Sequence, residues 1–270
     1  MLNNKLHKLT VSGLAAMLLL ASLLAPPNVS SASVRPTFTD ASLKGPYSIL
    51  LEKWLSDQNS KPETLVGVFN FDGNGNVSIS SFTDNNGGTV TTGTGTGTYS
   101  MKSKGTGSIK ASLSNGDSGT FSIVLDANGK GFQLILTRCA NGCGSGVLSG
   151  TAVASGGSSF SNASLKGKYE FLTVRWPSGQ NPDSNNVIGI LNFDGAGAVT
   201  ASATQDDAGN VQTITASGTY SVSPDGSGTM TLTDKQGSIA FAFAINSAGK
   251  GSQIIGTTND EVQSGTTTRQ

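Results

Sequence analysis

Polar and apolar residues alternate in short runs along most of this chain, and beyond its N-terminal region no long stretch repeats apolar positions every 3.6 residues. The segment from Ile239 to Ile245 shows the pattern plainly. Ile239, Phe241, Phe243 and Ile245 fall on one side of an extended chain, with Ala240, Ala242 and Ala244 on the other. Successive side chains of a strand point to opposite faces, so the bulky set marks a core face. Runs of this kind predict strands near 46–55, 65–71, 77–83, 90–101, 105–113, 119–126, 131–138 and 146–153. They recur near 168–176, 187–193, 199–205, 211–222, 227–234, 237–245, 251–257 and 261–268. Between them stand sequences such as Asp72-Gly73-Asn74-Gly75-Asn76 and Asp126-Ala127-Asn128-Gly129, which supply positive φ where a tight hairpin needs it.

The two sets of strands are one sequence written twice. Ala41-Ser42-Leu43-Lys44-Gly45-Pro46-Tyr47 returns 122 residues later as Ala163-Ser164-Leu165-Lys166-Gly167-Lys168-Tyr169, and Trp54 returns as Trp176. Asn70-Phe71-Asp72-Gly73 returns as Asn192-Phe193-Asp194-Gly195, whereas Gly97-Thr98-Tyr99-Ser100 returns as Gly218-Thr219-Tyr220-Ser221 with the offset slipped to 121. Further on, Gly129-Lys130-Gly131 and Gln133 match Gly249-Lys250-Gly251 and Gln253, and Ser149-Gly150-Thr151 matches Ser264-Gly265-Thr266. A repeat this long is a domain and not a solenoid unit. The expected organisation is a leader over 1–32, a β domain over 33–153, a Gly/Ser linker over 154–159 and a second β domain over 160–270. The fold class is all-β, with two tandem homologous antiparallel domains. Each is read as an eight-stranded up-and-down barrel, because pairing the first strand with the last removes both sheet edges. A β-sandwich is the alternative, and periodicity does not separate the two.

The Leu-Lys-Gly-x-Tyr openings at Leu43 to Tyr47 and Leu165 to Tyr169 lead into first strands that reach Trp54 and Trp176. They resemble the first strand of calycins, the lipocalin and avidin group, with Tyr in place of that family's Trp. The order L-K-G-x-Y, F-D-G-x-G, G-T-Y-S, G-K-G-x-Q resembles repeat domains of exported bacterial proteins of uncharacterised function, over nearly all of each copy. That second resemblance implies export and a β domain, and no activity.

The N-terminus agrees on export. Lys5 and Lys8 precede an almost unbroken apolar run from Val11 to Leu24, and Ser30-Ser31-Ala32 offers the small residues a signal peptidase reads. The run is too short to span a bilayer and stops at Pro26-Pro27, and no later segment has the length or hydropathy of a membrane helix. A secreted or periplasmic location is expected. His7 is the only histidine of the chain, so cleavage removes the imidazole that Ser-His-Asp and Cys-His catalysis and His-containing zinc sites require. With 17 basic and 17 acidic residues and no basic cluster, the chain lacks the electrostatic footprint of a nucleic-acid binder. Cys139 and Cys143, in a Gly-rich turn and an oxidising compartment, are expected to form a local disulfide. No metal site and no cofactor fingerprint is read.

Three motifs touch on chemistry and are better explained as turns. Asp72-x-Asn74-x-Asn76 opens like a calcium loop, but Val77 and Thr83 stand where that loop needs Gly and Glu. Asp72 and Asp194 are Asp-Gly turn residues before they are a glycosidase pair. Gly129-Lys130-Gly131 has no helix to follow, as a phosphate loop requires.

The ligand-binding candidates come from strand faces and repetition. Tyr47, Ile49, Leu51 and Lys53 share one face of the first strand, as do Tyr169, Phe171, Thr173 and Arg175 in the second copy. If that face is interior, Lys53 and Arg175 sit at a barrel mouth, able to meet an anionic or hydroxylated ligand, with the tyrosines deeper. Trp54 and Trp176 lie on the opposite face, as packing between domains or as an aromatic platform for sugars. Gln133 and Gln253 are selected because both copies keep them. The expected function is a non-enzymatic binding or structural module of the cell envelope, its partner a small molecule, a glycan or an envelope protein. The alternative is a metal-independent barrel enzyme of isomerase or cyclase type using an interior Tyr, Lys or carboxylate.

Overall fold

In the computed structural model, which describes residues 37–55, 61–140, 146–157, 159–177, 185–258 and 261–270, two closed antiparallel barrels of eight strands follow one another. The first comprises β1 (Lys44–Leu55), β2 (Glu63–Asp72), β3 (Asn76–Asn86), β4 (Thr89–Met101), β5 (Thr106–Leu113), β6 (Ser118–Leu125), β7 (Gly131–Cys139) and β8 (Gly146–Ala154). The second comprises β9 (Lys166–Pro177), β10 (Asn185–Asp194), β11 (Ala198–Asp207), β12 (Asn210–Val222), β13 (Ser227–Thr233), β14 (Ser238–Asn246), β15 (Gly251–Gly256) and β16 (Glu261–Arg269). Closure excludes the sandwich. β1 pairs with β8 from Tyr47↔Ala154 to Leu55↔Gly146, and β9 pairs with β16 from Tyr169↔Arg269 to Pro177↔Glu261. The leader lies outside the described residues.

Alternation places Tyr47, Ile49 and Leu51 inside the first barrel and Tyr169 and Phe171 inside the second. One pole of each barrel is plugged. A 3-10 turn, Asp40–Ser42 or Asn162–Ser164, precedes the first strand and sets a fully buried Leu43 or Leu165 over the core. The Tyr99 hydroxyl lies 2.9 Å from the carbonyl oxygens of both Asp40 and Leu43, and that of Tyr220 lies 3.0 Å from those of Asn162 and Leu165. At the same pole Asp72 accepts backbone N–H bonds from Asn74 and Asn76, and Asp194 accepts them from Ala196, Gly197 and Ala198. These carboxylates brace turns in which Gly73 and Gly195 both take φ of about 80°.

The slip in the repeat offset has a physical location. β2 and β3 shift register between Val68 and Phe69, where Ser80 is an extra residue, whereas β10 and β11 pair without a break. The bulge serves the contact between barrels: Ser80 and Ser81 donate hydroxyl hydrogen bonds of 3.0 and 2.8 Å to Asp225 of the second barrel.

Both barrels belong to one compact unit, Pro36–Gln270. The alanine face of β14 explains how. Ala242, Ala244 and Ile255 pack against Leu50, Val66 and Val68 in a buried apolar cluster, so both faces of β14 are covered, one by core and one by the other barrel. Composition alone reads 154–159 as a flexible linker, but Ser155 is fully buried there. Its N–H donates to the Pro46 carbonyl at 2.8 Å, and its own carbonyl accepts from the Ala248 N–H at 2.6 Å. Replacing Asp225 by Ala is expected to destabilise the chain by about 1 to 3 kcal/mol by leaving the Ser81 and Ser227 hydroxyls without their acceptor. Burial pushes Asp225 up, but hydrogen bonds from Ser227, Ser81 and Ser80 hold it below the ordinary carboxylate value. Its contribution is therefore present at neutral pH and lost as pH falls through that lowered value. Urea unfolding at pH 7 and pH 3 checks this: the gap between wild type and Asp225→Ala should narrow in acid.

Candidate functional site

Six residues of extended chain, about 20 Å, carry β1 from Tyr47 at the plugged pole to Lys53 at the open one, so the two are not brought together. Tyr47 donates its hydroxyl to the Gly129 carbonyl at 2.7 Å, and Tyr169 donates to that of Gly249 at 2.6 Å. Burial, then the Asp126 charge and Tyr99, push the Tyr47 phenol up to about 12, and burial raises Tyr169 against the opposing charge of Arg269. Both phenols stay protonated at neutral pH, and each is spent on holding a hairpin.

The open poles differ. In the first barrel Lys53 pairs with Glu63 at 3.3 Å, and beneath them Leu51, Leu65, Ile79 and Phe82 fill the interior. The Phe82 ring lies against Gly93, where an added Cβ would come within 2.9 Å of it. Asp84 is 6 % exposed, with Oδ1 unpartnered among the described residues. Burial first, then the Glu63 and Asp117 charges, raise it to about 8 against the pull of Lys53.

In the second barrel the same positions carry smaller or more polar side chains: Thr173 for Leu51, Ala201 for Ile79, Ala203 for Phe82 and Gln205 for Asp84. A cavity of about 330 Å³ opens there. Phe171, Val187 and Phe241 make its apolar floor, while Arg175, Asn185 and Gln263 stand along its wall and Asp207 and Asp234 at its rim. Asn185 is 5 % exposed and its Oδ1 has no hydrogen-bond partner among the described residues. The arrangement suits a small ligand with an apolar body and a polar or anionic head.

The other candidates lie elsewhere. Gln133 is exposed on the outside of β7, and Gln253 is buried between the barrels, donating to the Thr151 hydroxyl at 2.9 Å and carbonyl at 3.2 Å. Trp54 is exposed on the outer face of the first barrel, and Trp176 pairs through its backbone with Val262 of β16, its side chain lying outside the description. Cys139 ends β7 half-buried, and Cys143 lies outside the described residues. Asn185, Ala203 and Asp84 were not singled out by sequence. Comparing the copies position by position would have shown the large-to-small exchanges, once the bulge at Ser80 had fixed the alignment.

No family model matches the chain, and no curated protein does. The similar solved structures include two of low identity. One, from Nostoc punctiforme, is a protein of unknown function from the DUF3598 family, 12% identical over 85% of this chain and 97% of that one, with a TM-score of 0.26. The other, from Nitrosomonas europaea, is described as a putative AttH, 9% identical over 83% of this chain and 92% of that one, with a TM-score of 0.29.

Proposed function

We propose that the chain is an exported, non-enzymatic binding module of the cell envelope, in which the mouth of the second barrel holds a small amphipathic molecule. The observation that carries this reading is the asymmetry of the duplication: the first barrel sets Leu51, Ile79 and Phe82 in its buried core, and the second, with Thr173, Ala201 and Ala203 at the same positions, has a cavity lined by Arg175 and Asn185. At about 330 Å³ the cavity is at the small end of ligand pockets. The apolar body of the ligand lies on Phe171 and Phe241, and its anionic or hydroxylated head meets Arg175 and Asn185. Calycin-like resemblance accords with a ligand held inside an eight-stranded barrel.

Anilinonaphthalene sulfonate, an apolar body with a sulfonate head, is a direct probe. Its fluorescence titration should saturate at one site, with Ala203→Leu and Arg175→Gln each weakening binding about tenfold or more through lost volume and lost charge. Unchanged binding in both variants would remove the cavity from consideration. Export and the Cys139–Cys143 bridge are proposals of the same reading, tested on secreted material by N-terminal sequencing, expected to begin near residue 33, and by non-reducing peptide mapping.

The enzyme reading has one specific observation in its favour, the proton-retaining Asp84 beside Lys53 and Glu63. It stands over the core residues Leu51, Leu65, Ile79 and Phe82, and the barrel that holds the cavity described above carries Gln205 in its place, so Asp84 does not line that cavity.

A further inference from the structure

The contact between the two barrels uses two different faces, and because the chain is duplicated each face exists twice. The first barrel offers its β1/β2 face and the second its β14/β15 face. The β1/β2 face has its duplicate on β9/β10, and the β14/β15 face has its duplicate on β6/β7, by the register of the strand pairs. Neither duplicate is covered by any of the described residues.

The exposures match position by position. Leu50 is 5% exposed and its counterpart Leu172 48%, while Val66 is 2% exposed and Ile188 60%. On the other face Ala244 and Ile255 are fully buried, and their counterparts Val124 and Ile135 are 55% and 50% exposed. These four residues belong to the small set of large apolar side chains left open to solvent among the described residues. The polar contact is duplicated as well. Gln253 donates to Thr151 across the internal interface, and their counterparts Gln133 and Thr266 are both exposed, one on each uncovered face. Repetition of glutamine and of Ser-Gly-Thr in both copies thereby acquires one physical reason.

We propose that further copies of this chain occupy these faces, the β9/β10 face of one chain docking on the β6/β7 face of the next as the two barrels dock within a chain. Leu172, Ile188 and Ile190 then meet Val124 and Ile135, and Gln133 reaches Thr266 of the neighbouring copy. Such a contact joins unlike surfaces, so it propagates head to tail into a ring or an open filament. It is weaker than the internal one. Lys104 stands where the second barrel has Asp225, β11 lacks the bulge that presents the two serines, and no tether raises the local concentration.

Sedimentation velocity on the full purified chain, from micromolar to about millimolar, tests this with Ile135→Glu and Ile188→Glu. Both sites are exposed, and unchanged far-ultraviolet dichroism and melting verify folding. The wild type should grow in mass with concentration, and each variant alone should stay monomeric where the wild type associates, its self-affinity lowered about tenfold or more by a charge buried in an apolar contact. An equimolar mixture should give a heterodimer and nothing larger, because each variant keeps the face the other has lost. A wild type that stays monomeric throughout, a variant that associates alone as the wild type does, or a mixture that stays monomeric would each overturn the proposal. A monomeric wild type that floats with phosphatidylglycerol vesicles would assign the faces to lipid instead.

Discussion

Replacing Phe193 by Ala is expected to destabilise the second barrel by about 3 to 5 kcal/mol, more than any substitution at the exposed tryptophan. The ring is buried between two phenols, edge-on to Tyr169 at 5.3 Å and 90° and to Tyr220 at 4.9 Å and 80°. Truncation removes both aromatic contacts and leaves a void beside Tyr220, whose hydroxyl spans the carbonyls that fix the 3-10 plug. Phe71→Ala should act alike in the first barrel, where Phe71 is edge-on to Tyr47, Tyr99 and Phe132. The second barrel has Ser252 in place of Phe132, hydrogen-bonded to Thr267 at 2.8 Å. Equilibrium urea unfolding measures both losses. A Phe193→Ala change below about 1 kcal/mol would show that the plug does not depend on the stack.

Asp84→Asn should flatten the pH dependence of stability. The folded carboxyl keeps its proton to about pH 8, whereas the unfolded one releases it near its ordinary value of 3.8. Between those values the unfolded chain binds fewer protons than the folded one. The stabilisation is therefore full below about pH 4 and drains away as pH rises to about 8, by at most about 1.4 kcal/mol per pH unit. Relaxation and water entry reduce that ceiling, and about 2 to 4 kcal/mol between pH 4.5 and 8 is the expected loss. Asn mimics the protonated carboxyl and should not show it. Denaturant unfolding across this range on both proteins is the check; parallel curves would mean that Asp84 ionises freely in the fold.

Much of the architecture was legible because hairpins are local. Turn residues such as Asp72-Gly73 and Asp126-Ala127-Asn128-Gly129 delimit strands to within a few residues of those observed. Closure was harder to read, because β1 meets β8 about a hundred residues away and alternation carries no record of which strands pair. Side-chain period puts Lys53 and Arg175 on one face with Tyr47 and Tyr169, and at a barrel mouth only if that face is interior, which alternation leaves open. The hollow beneath Arg175 was not legible, because it comes from volumes missing on several strands at once. Gln253 drew attention as a repeated residue, but repetition marks any surface that is used, and here the surface used is the seam between barrels.

Barrel closure also sets an order of events. β1 leads its barrel in the sequence, yet its partnership with β8 must await almost the whole domain, so folding is dominated by non-local contacts and is slow for its size. A waiting β1 meets two candidates, because Ser149-Gly150-Thr151 of β8 and Ser264-Gly265-Thr266 of β16 present the same residues to Leu50 and Leu172 in the same register. Strand exchange between neighbouring copies is the error such a tandem invites. Pro46 opposite Asn70, the bulge at Ser80 and the buried Ser155 belong to one copy only, so the two barrels, though written from one sequence, are not interchangeable in detail.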